Sequence, residues 1–151
     1  MEKSINSYVK NYSIKKITIA FSGGIDSTLI LTLLKKTNPE LDISAISIKF
    51  ADSIDETEMA SKIAAHLDIN YQTVFLENFL EELPKAISIV KQPFWDLHWY
   101  YVAKSASKLS NHLTAGDGGD ELFGGYTFRY HKFLSKINQN STPLDKVKAY
   151  L

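Results

Sequence analysis

Four short apolar runs, each giving way to a turn and then to a stretch with helical spacing, constrain this chain more than any other feature. "KKITIAF" (15–21), "ISAISIKF" (43–50), "NYQTVFL" (70–76) and "HLTA" (112–115) have the β-branched and apolar content of strands. Between the first two, Leu29, Ile30, Leu33 and Leu34 recur at helical spacing from Asp26 onward, and Pro39 should end that helix. Met59, Ile63, Ala64 and Leu67 form a second stripe that Ser53 or Asp55 can cap. "ENFLEELPKAISIVKQ" reads as helical, with Pro84 opening its second part, and "WDLHWYYVAKSASKLS" reads as another helix. After the connection "NQNSTP", Pro143 opens a last helix. Strands alternating with helices predict an α/β fold: a doubly wound, mostly parallel sheet with helices on both faces. The 151 residues are expected to form one domain, its core at about 15–137, with 138–151 a connection and the start of a further helix.

In such a sheet, ligands bind beyond the carboxyl ends of the strands. The turns "SGGIDS" and "AGDGGDE" both follow strands and should open on that same edge. In "FSGGIDST", Gly23 and Gly24 permit a sharp turn and a close approach to a ligand. The amides that follow begin a helix, where an anion is favoured, and Ser22, Ser27 and Thr28 add hydroxyls. The stretch is neither a P-loop of the form G-x-x-x-x-G-K-S/T nor a G-x-G-x-x-G dinucleotide fingerprint. On local pattern alone, Asp26 either serves an anion site or only favours the helix dipole. In the second turn Asp117, Asp120 and Glu121 crowd together, which indicates a metal, a raised pKa or a solvated helix start. Magnesium, which takes one or two carboxylates plus phosphate oxygens, would suit that turn facing the first.

Composition removes several alternatives. There is no cysteine, so disulfides, thiolate zinc sites and cysteine nucleophiles are excluded. His66, His98, His112 and His131 show no zinc-binding spacing. Lys+Arg and Asp+Glu are both 17, a balance that argues against nucleic acid or a membrane surface held by bulk charge. No apolar run is long enough to span a bilayer, and the polar start "MEKSINSYVKNYSIKK" has no signal-peptide core, so a cytoplasmic domain is expected. Phe94, Trp95, Trp99, Tyr100 and Tyr101 wall a substrate pocket or, more simply, belong to core or an interface. Arg129, Lys132 and Lys136 read as a solvated helix face.

"SGGIDS" resembles the S-G-G-x-D-S loop of the ATP pyrophosphatase (PP-loop) superfamily, whose members share a Rossmann-like fold. They cleave ATP between the α- and β-phosphates, adenylate a substrate oxygen and hold the leaving pyrophosphate in this loop. "AGDGGDELFGGY" is similar to the S-G-D/E-G-x-D-E-L-F-G-G-Y signature of the synthetase domain of glutamine-hydrolysing asparagine synthetases, versions of which occur in β-lactam synthetases and lasso-peptide cyclases. "DETEMASKIAAHLDI" and "ELPKAISIVKQPFWD" look like that family too, so the resemblance runs from Ile17 to Lys132.

The resemblance implies an ATP-dependent ligase that activates a carboxylate such as aspartate, using ATP and magnesium, and then amidates it with ammonia or an amine. It implies that Ser22, Gly23, Gly24, Asp26 and Ser27 hold pyrophosphate and magnesium. Phe21 and Ile48 would flank the adenosine, and Ala115 and Gly116 would contact the nucleotide through their backbone. Asp117 falls where the family has an acid proposed to assist proton removal from the amine, and Asp120 would help with metal or pyrophosphate.

The departures from the family pattern also carry implications. Ala115 replaces a serine, and Lys91 and Gln92 in "KQPF" replace two acids, which opens the question of substrate, while Asp96 matches the acid that follows. The family's glutaminase half uses an N-terminal cysteine, so ammonia is expected from a separate glutaminase. A lysine on a later helix supports adenylation in the family, so a homo-oligomer or a partner chain is expected to complete the domain. Two rivals remain: a PP-loop ligase for another substrate (a tRNA base, a β-lactam or a peptide carboxylate), or an ATP-binding subunit without catalysis of its own.

Overall fold

The structure is a computed structural model and describes residues 1–50, 55–78, 80–91 and 98–150. The chain divides into two compact units, Met1–Gly116 and Asp117–Leu151.

The first unit is built on a four-stranded sheet of β1 (Lys16–Ala20), β2 (Asp42–Phe50), β3 (Asn70–Leu76) and β4 (Leu113–Thr114), in the order β3-β2-β1-β4. Every pairing is parallel. The helices are α1 (Glu2–Asn11), α2 (Ile25–Thr37), α3 (Thr57–His66), α4 (Leu83–Val90) and α5 (His98–Ala106). Side chains alternate across a strand, so each strand sends its residues to two different layers. Ile17, Ile19 and Phe21, with Ile43 and Ala45, pack against Val9 of α1, Leu31 and Leu34 of α2, and Ala60 and Ala64 of α3. Ala20, Ile46 and Ile48 face the other way and pack against Trp99, Val102 and Ala106 of α5. Helices therefore cover both faces, as the alternating pattern predicts.

Three local features differ from the sequence reading or refine it. α1 is an additional helix within the polar start; Ile5 and Val9, one turn apart, dock it on the core while its remaining surface stays polar. Residues 77, 78 and 80–82 are not helical: the Asn78 side chain accepts the Leu80 amide at 3.1 Å, and α4 begins at Leu83 with Pro84 in its first turn. The aromatic stretch contributes to core: Trp99 joins the α5 cluster, while Tyr100 and Tyr101 pack with Ala86, Leu83 and Ile48. Glu82 ties α4 to α5, accepting the Tyr100 hydroxyl at 2.7 Å and the Lys104 ammonium. Ser53, Gln92, Phe94, Trp95 and Asp96 lie outside the described residues.

The second unit contains α6 (Gly119–Phe123), α7 (Thr127–Lys136) and α8 (Pro143–Tyr150). α8 opens with a capping box: the Thr142 amide and hydroxyl donate to Asp145 Oδ2 at 3.0 and 2.7 Å, and Thr142 Oγ1 accepts the Asp145 amide at 3.2 Å. Among the described residues, no helix is long and apolar enough to cross a membrane.

Candidate active site

β1 delivers the chain into the turn Ser22–Gly24, and α2 leaves it. Gly23 has φ +77°, a left-handed conformation that favours glycine, and a Cβ there would lie 3.1 Å from the backbone N and Cα of Ala60 in α3. The turn is therefore pressed against α3. Its interior is braced by its own serines. The Gly24 amide donates to Ser22 Oγ at 3.2 Å, Ser27 Oγ donates to the Gly24 carbonyl at 3.2 Å, and the two hydroxyls lie 3.3 Å apart. Ser27 is buried, Ser22 is exposed and Asp26 is half-buried in the first turn of α2. Thr28 Oγ1 is buried without a hydrogen-bond partner among the described residues, so Ser22 alone of the three hydroxyls is turned to solvent. Gly24 places no side chain over the start of α2, and among the described residues no side chain caps its first amides, an arrangement that favours an anion.

The second turn arrives from β4, which pairs with β1 on the side opposite β2. This reversal of direction beside β1 is the switch point at which open α/β sheets bind ligands. Gly116 sits directly on the first turn: a Cβ there would be 2.6 Å from the Ser27 amide nitrogen, 2.9 Å from the Asp26 carbonyl carbon and 3.0 Å from Asp26 Cβ. Ala115 and Gly116 are half-buried beside it. Two segments some ninety residues apart thus meet backbone to backbone, as the sequence reading expects.

β2 outruns β1. Its pairing with β1 ends at Ala20–Ile46, whereas its pairing with β3 continues to Phe50–Leu76. The Phe21 amide donates to the Ile46 carbonyl at 2.8 Å, and the Ser47 hydroxyl donates to the Phe21 carbonyl. Backbone groups in a parallel strand alternate sides, so Ile48 turns its N–H and C=O to the edge where β1 has ended. The Phe21 ring is buried in the core (2% exposed), and the Ile48 side chain packs on the α4–α5 layer. What this edge can offer a ligand is the Ile48 backbone, since the Phe21 N–H and C=O are engaged by Ile46 and Ser47.

Asp117 and Asp120 belong to the second unit and are exposed there. Asp120 and Glu121 lie in the first turn of α6, so the solvated-helix-start reading of these acids describes their local structure. The Asp120 carboxylate lies over Gly125, whose amide donates to the Asp120 carbonyl at 3.0 Å. The Tyr126 hydroxyl, 2.5 Å from Glu121 Oε1, holds the Glu121 carboxyl below its ordinary range. Arg129 stacks on the Tyr126 ring at 4.4 Å, which gives this arginine a local partner.

Asp26 offers a hard oxygen donor beside open amides, which fits magnesium accompanied by phosphate oxygens. Among the described residues, no group of three or more His, Cys, Asp or Glu side chains converges to hold a metal unaided. The sequence reading passed over Ser47 and Lys49. A lysine near the carboxyl end of a buried parallel strand was the available signal.

The sequence pattern of the asparagine synthase family matches residues 12–149. The chain belongs to the asparagine synthase family. It is 34% identical over 119 residues to the glutamine-hydrolyzing asparagine synthetase 1 of Bacillus subtilis, an alignment covering 76% of this chain and 18% of that protein. The chain thus spans less than a fifth of the length of this relative. Its fold is that of the PP-loop ATP pyrophosphatases. The glutamine-dependent NAD+ synthetase of Acinetobacter baumannii, solved with ADP, superposes with a TM-score of 0.61 at 15% identity, over 83% of this chain and 26% of that one. The NH3-dependent NAD synthetase of Campylobacter jejuni gives 0.57 at 24% identity, over 83% and 57%. This asparagine synthase-type domain therefore belongs to a family of ATP-using ligases.

Proposed function

We propose that the chain carries the adenylate-forming chemistry of an amide ligase of asparagine-synthetase type, with aspartate as the carboxylate and ammonia, supplied by a separate glutaminase, as the amine. The observation that supports this most directly is the contact of Gly116 with Asp26 and Ser27, which joins the family's two signature turns at one sheet edge. In this reading the open amides of α2 and the Ser22 hydroxyl bind the β- and γ-phosphates. The backbone of Ile48 meets the adenine edge, Phe21 flanks it by fixing the end of β1 against β2, and Ala115 and Gly116 line the ribose side. A carboxylate oxygen attacks the α-phosphorus, the bond to the bridging oxygen breaks, and pyrophosphate leaves into the first turn. Ammonia then adds to the acyl carbon and AMP departs. Asp117 receives the proton, and Asp120 assists metal or pyrophosphate, both roles taken from the family resemblance. Magnesium, when bound, supplies charge neutralisation at the leaving group, with Asp26 as its carboxylate. Alignment and preorganised donors do the rest.

The test is aspartate-dependent exchange of labelled pyrophosphate into ATP by the full chain, alone and with a glutaminase partner. Exchange is expected in wild type. Asp26→Asn is expected to abolish the magnesium-dependent exchange with an unchanged circular dichroism spectrum. ATP binding with no exchange under any condition would refute the ligase reading and favour a non-catalytic subunit. A second reading, a ligase for a different carboxylate, is favoured by Lys91, which stands where the family has an acid. Exchange supported by another carboxylate but not by aspartate would select it.

A further inference from the structure

The penultimate residue of β2, Lys49, carries a charge. By strand alternation Lys49 lies on the same face as Ile43, Ala45 and Ser47, the face that α2 and α3 cover. Ser47 already touches the residue entering the first turn through its bond to the Phe21 carbonyl. Lys49 stands one pleat repeat further, about 7 Å along the strand, which its four-carbon stem can span. The Lys49 ammonium is paired with Asp55 Oδ2, while Asp55 Oδ1 accepts the Thr57 amide at 3.0 Å and the Thr57 hydroxyl at 2.5 Å. Thr57 opens α3, and Ala60, one turn on, is the residue against which Gly23 packs. Ser47, on the same strand face, and Asp55, the partner of the ammonium, thus each connect to a residue that borders the first turn. The Lys49 side chain is 28% exposed, shielded yet reachable.

We propose that Lys49 is the cation that meets the polyphosphate of ATP, the charge that the lysine-free first turn itself lacks, and that Asp55 holds it in position until the nucleotide arrives. This rests on the ATP-ligase reading above. The first turn offers amides and a hydroxyl, and its one charged side chain, Asp26, is negative. A triphosphate needs a compensating positive charge close by, and a lysine acts as a mobile point charge for phosphate. Leaving Asp55 is inexpensive for Lys49, because Asp55 keeps both Thr57 hydrogen bonds and is not stranded.

The experiment measures dissociation constants for ATP and for adenosine, in magnesium, by calorimetry on the full chain. Wild type, Lys49→Gln and Asp55→Asn are compared. Lys49→Gln is expected to weaken ATP about tenfold while changing adenosine by less than about twofold, since one charge-assisted contact to phosphate is removed. Asp55→Asn keeps an acceptor for Thr57 but removes the competing charge, and it is expected to tighten ATP while leaving adenosine unchanged. Equal weakening of both ligands in Lys49→Gln, or no change in ATP affinity in either variant, would overturn the proposal while leaving the ligase reading intact. Wild type that binds no ATP would overturn both. Should Lys49→Gln fail to fold, the Asp55→Asn arm decides.

Discussion

Replacing Gly116 by alanine tests whether the two signature turns touch. The added methyl would sit 2.6 Å from the Ser27 nitrogen, 2.9 Å from the Asp26 carbonyl carbon and 3.0 Å from Asp26 Cβ. Carbon and its neighbours prefer about 3.5–4.0 Å, so the overlap approaches 1 Å against the Ser27 nitrogen. None of these atoms is the end of a flexible side chain, so relief requires one turn to move away from the other. Overpacking of this kind costs about 1–3 kcal/mol, and backbone opposition on two sides favours the upper end. For a chain of this length, 2–3 kcal/mol lowers Tm by about 4–12 °C. The same displacement should reduce pyrophosphate exchange about 100-fold, the usual penalty for a 1 Å misplacement of reacting groups. Gly24→Ala is the matched control. Its Cβ would meet only the rotatable Ser22 hydroxyl, at 3.1 Å, so its cost should stay near 1 kcal/mol or below, roughly the value of a weakened helix cap. Thermal melts and exchange assays on both variants decide the matter. If Gly116→Ala is no less stable than Gly24→Ala and retains exchange, the two turns are not in contact and the reasoning fails.

Two further outcomes follow from other parts of the first unit. Leu31 is fully buried where α2 meets β1, β2 and α3, so Leu31→Ala should cost about 2–5 kcal/mol in urea denaturation; a loss below 1 kcal/mol would mean that this layer is not a packed core. Asp55 is held down to about 2 from its ordinary 3.8, first by the hydrogen bond from Lys49 and then by those from Thr57. Because the folded pKa lies below the unfolded one, this contribution is complete above about pH 4 and is lost as pH falls toward about 2. Melts across that window should show a steeper fall in Tm for wild type than for Asp55→Asn, and parallel slopes would refute the pairing with Lys49.

Much of the fold was legible because strand signals are local. The run 15–21 became β1 at Lys16–Ala20, and 70–76 became β3 without a change of boundary. Helix positions were less secure where one side chain redirected the backbone. The Asn78 side chain accepts the Leu80 amide and helix starts only at Leu83, which the composition before Leu83 hid. α1 was missed because only Ile5 and Val9 face the core, and two apolar residues on a polar segment acquire meaning only when a sheet lies beneath them. The site was half legible. The two motifs identified the turns, but the burial of the Phe21 ring and the outward position of the Ile48 backbone depend on where β1 stops relative to β2.

The sequence by itself determined the strand and helix periods, the glycines that allow the turns, the acids within them and the family to which they belong. All of these are carried by spacing within a dozen residues. Only the tertiary structure decided that Gly116 rests on Asp26 and Ser27, that Ser47 grips Phe21, and that Lys49 is paired with Asp55. Those contacts depend on β1 lying between β2 and β4 and on β2 outlasting it. Strand order and strand length relative to a neighbour come from long-range packing of the two helical layers, and hydrophobic period alone is the same whichever strand lies alongside.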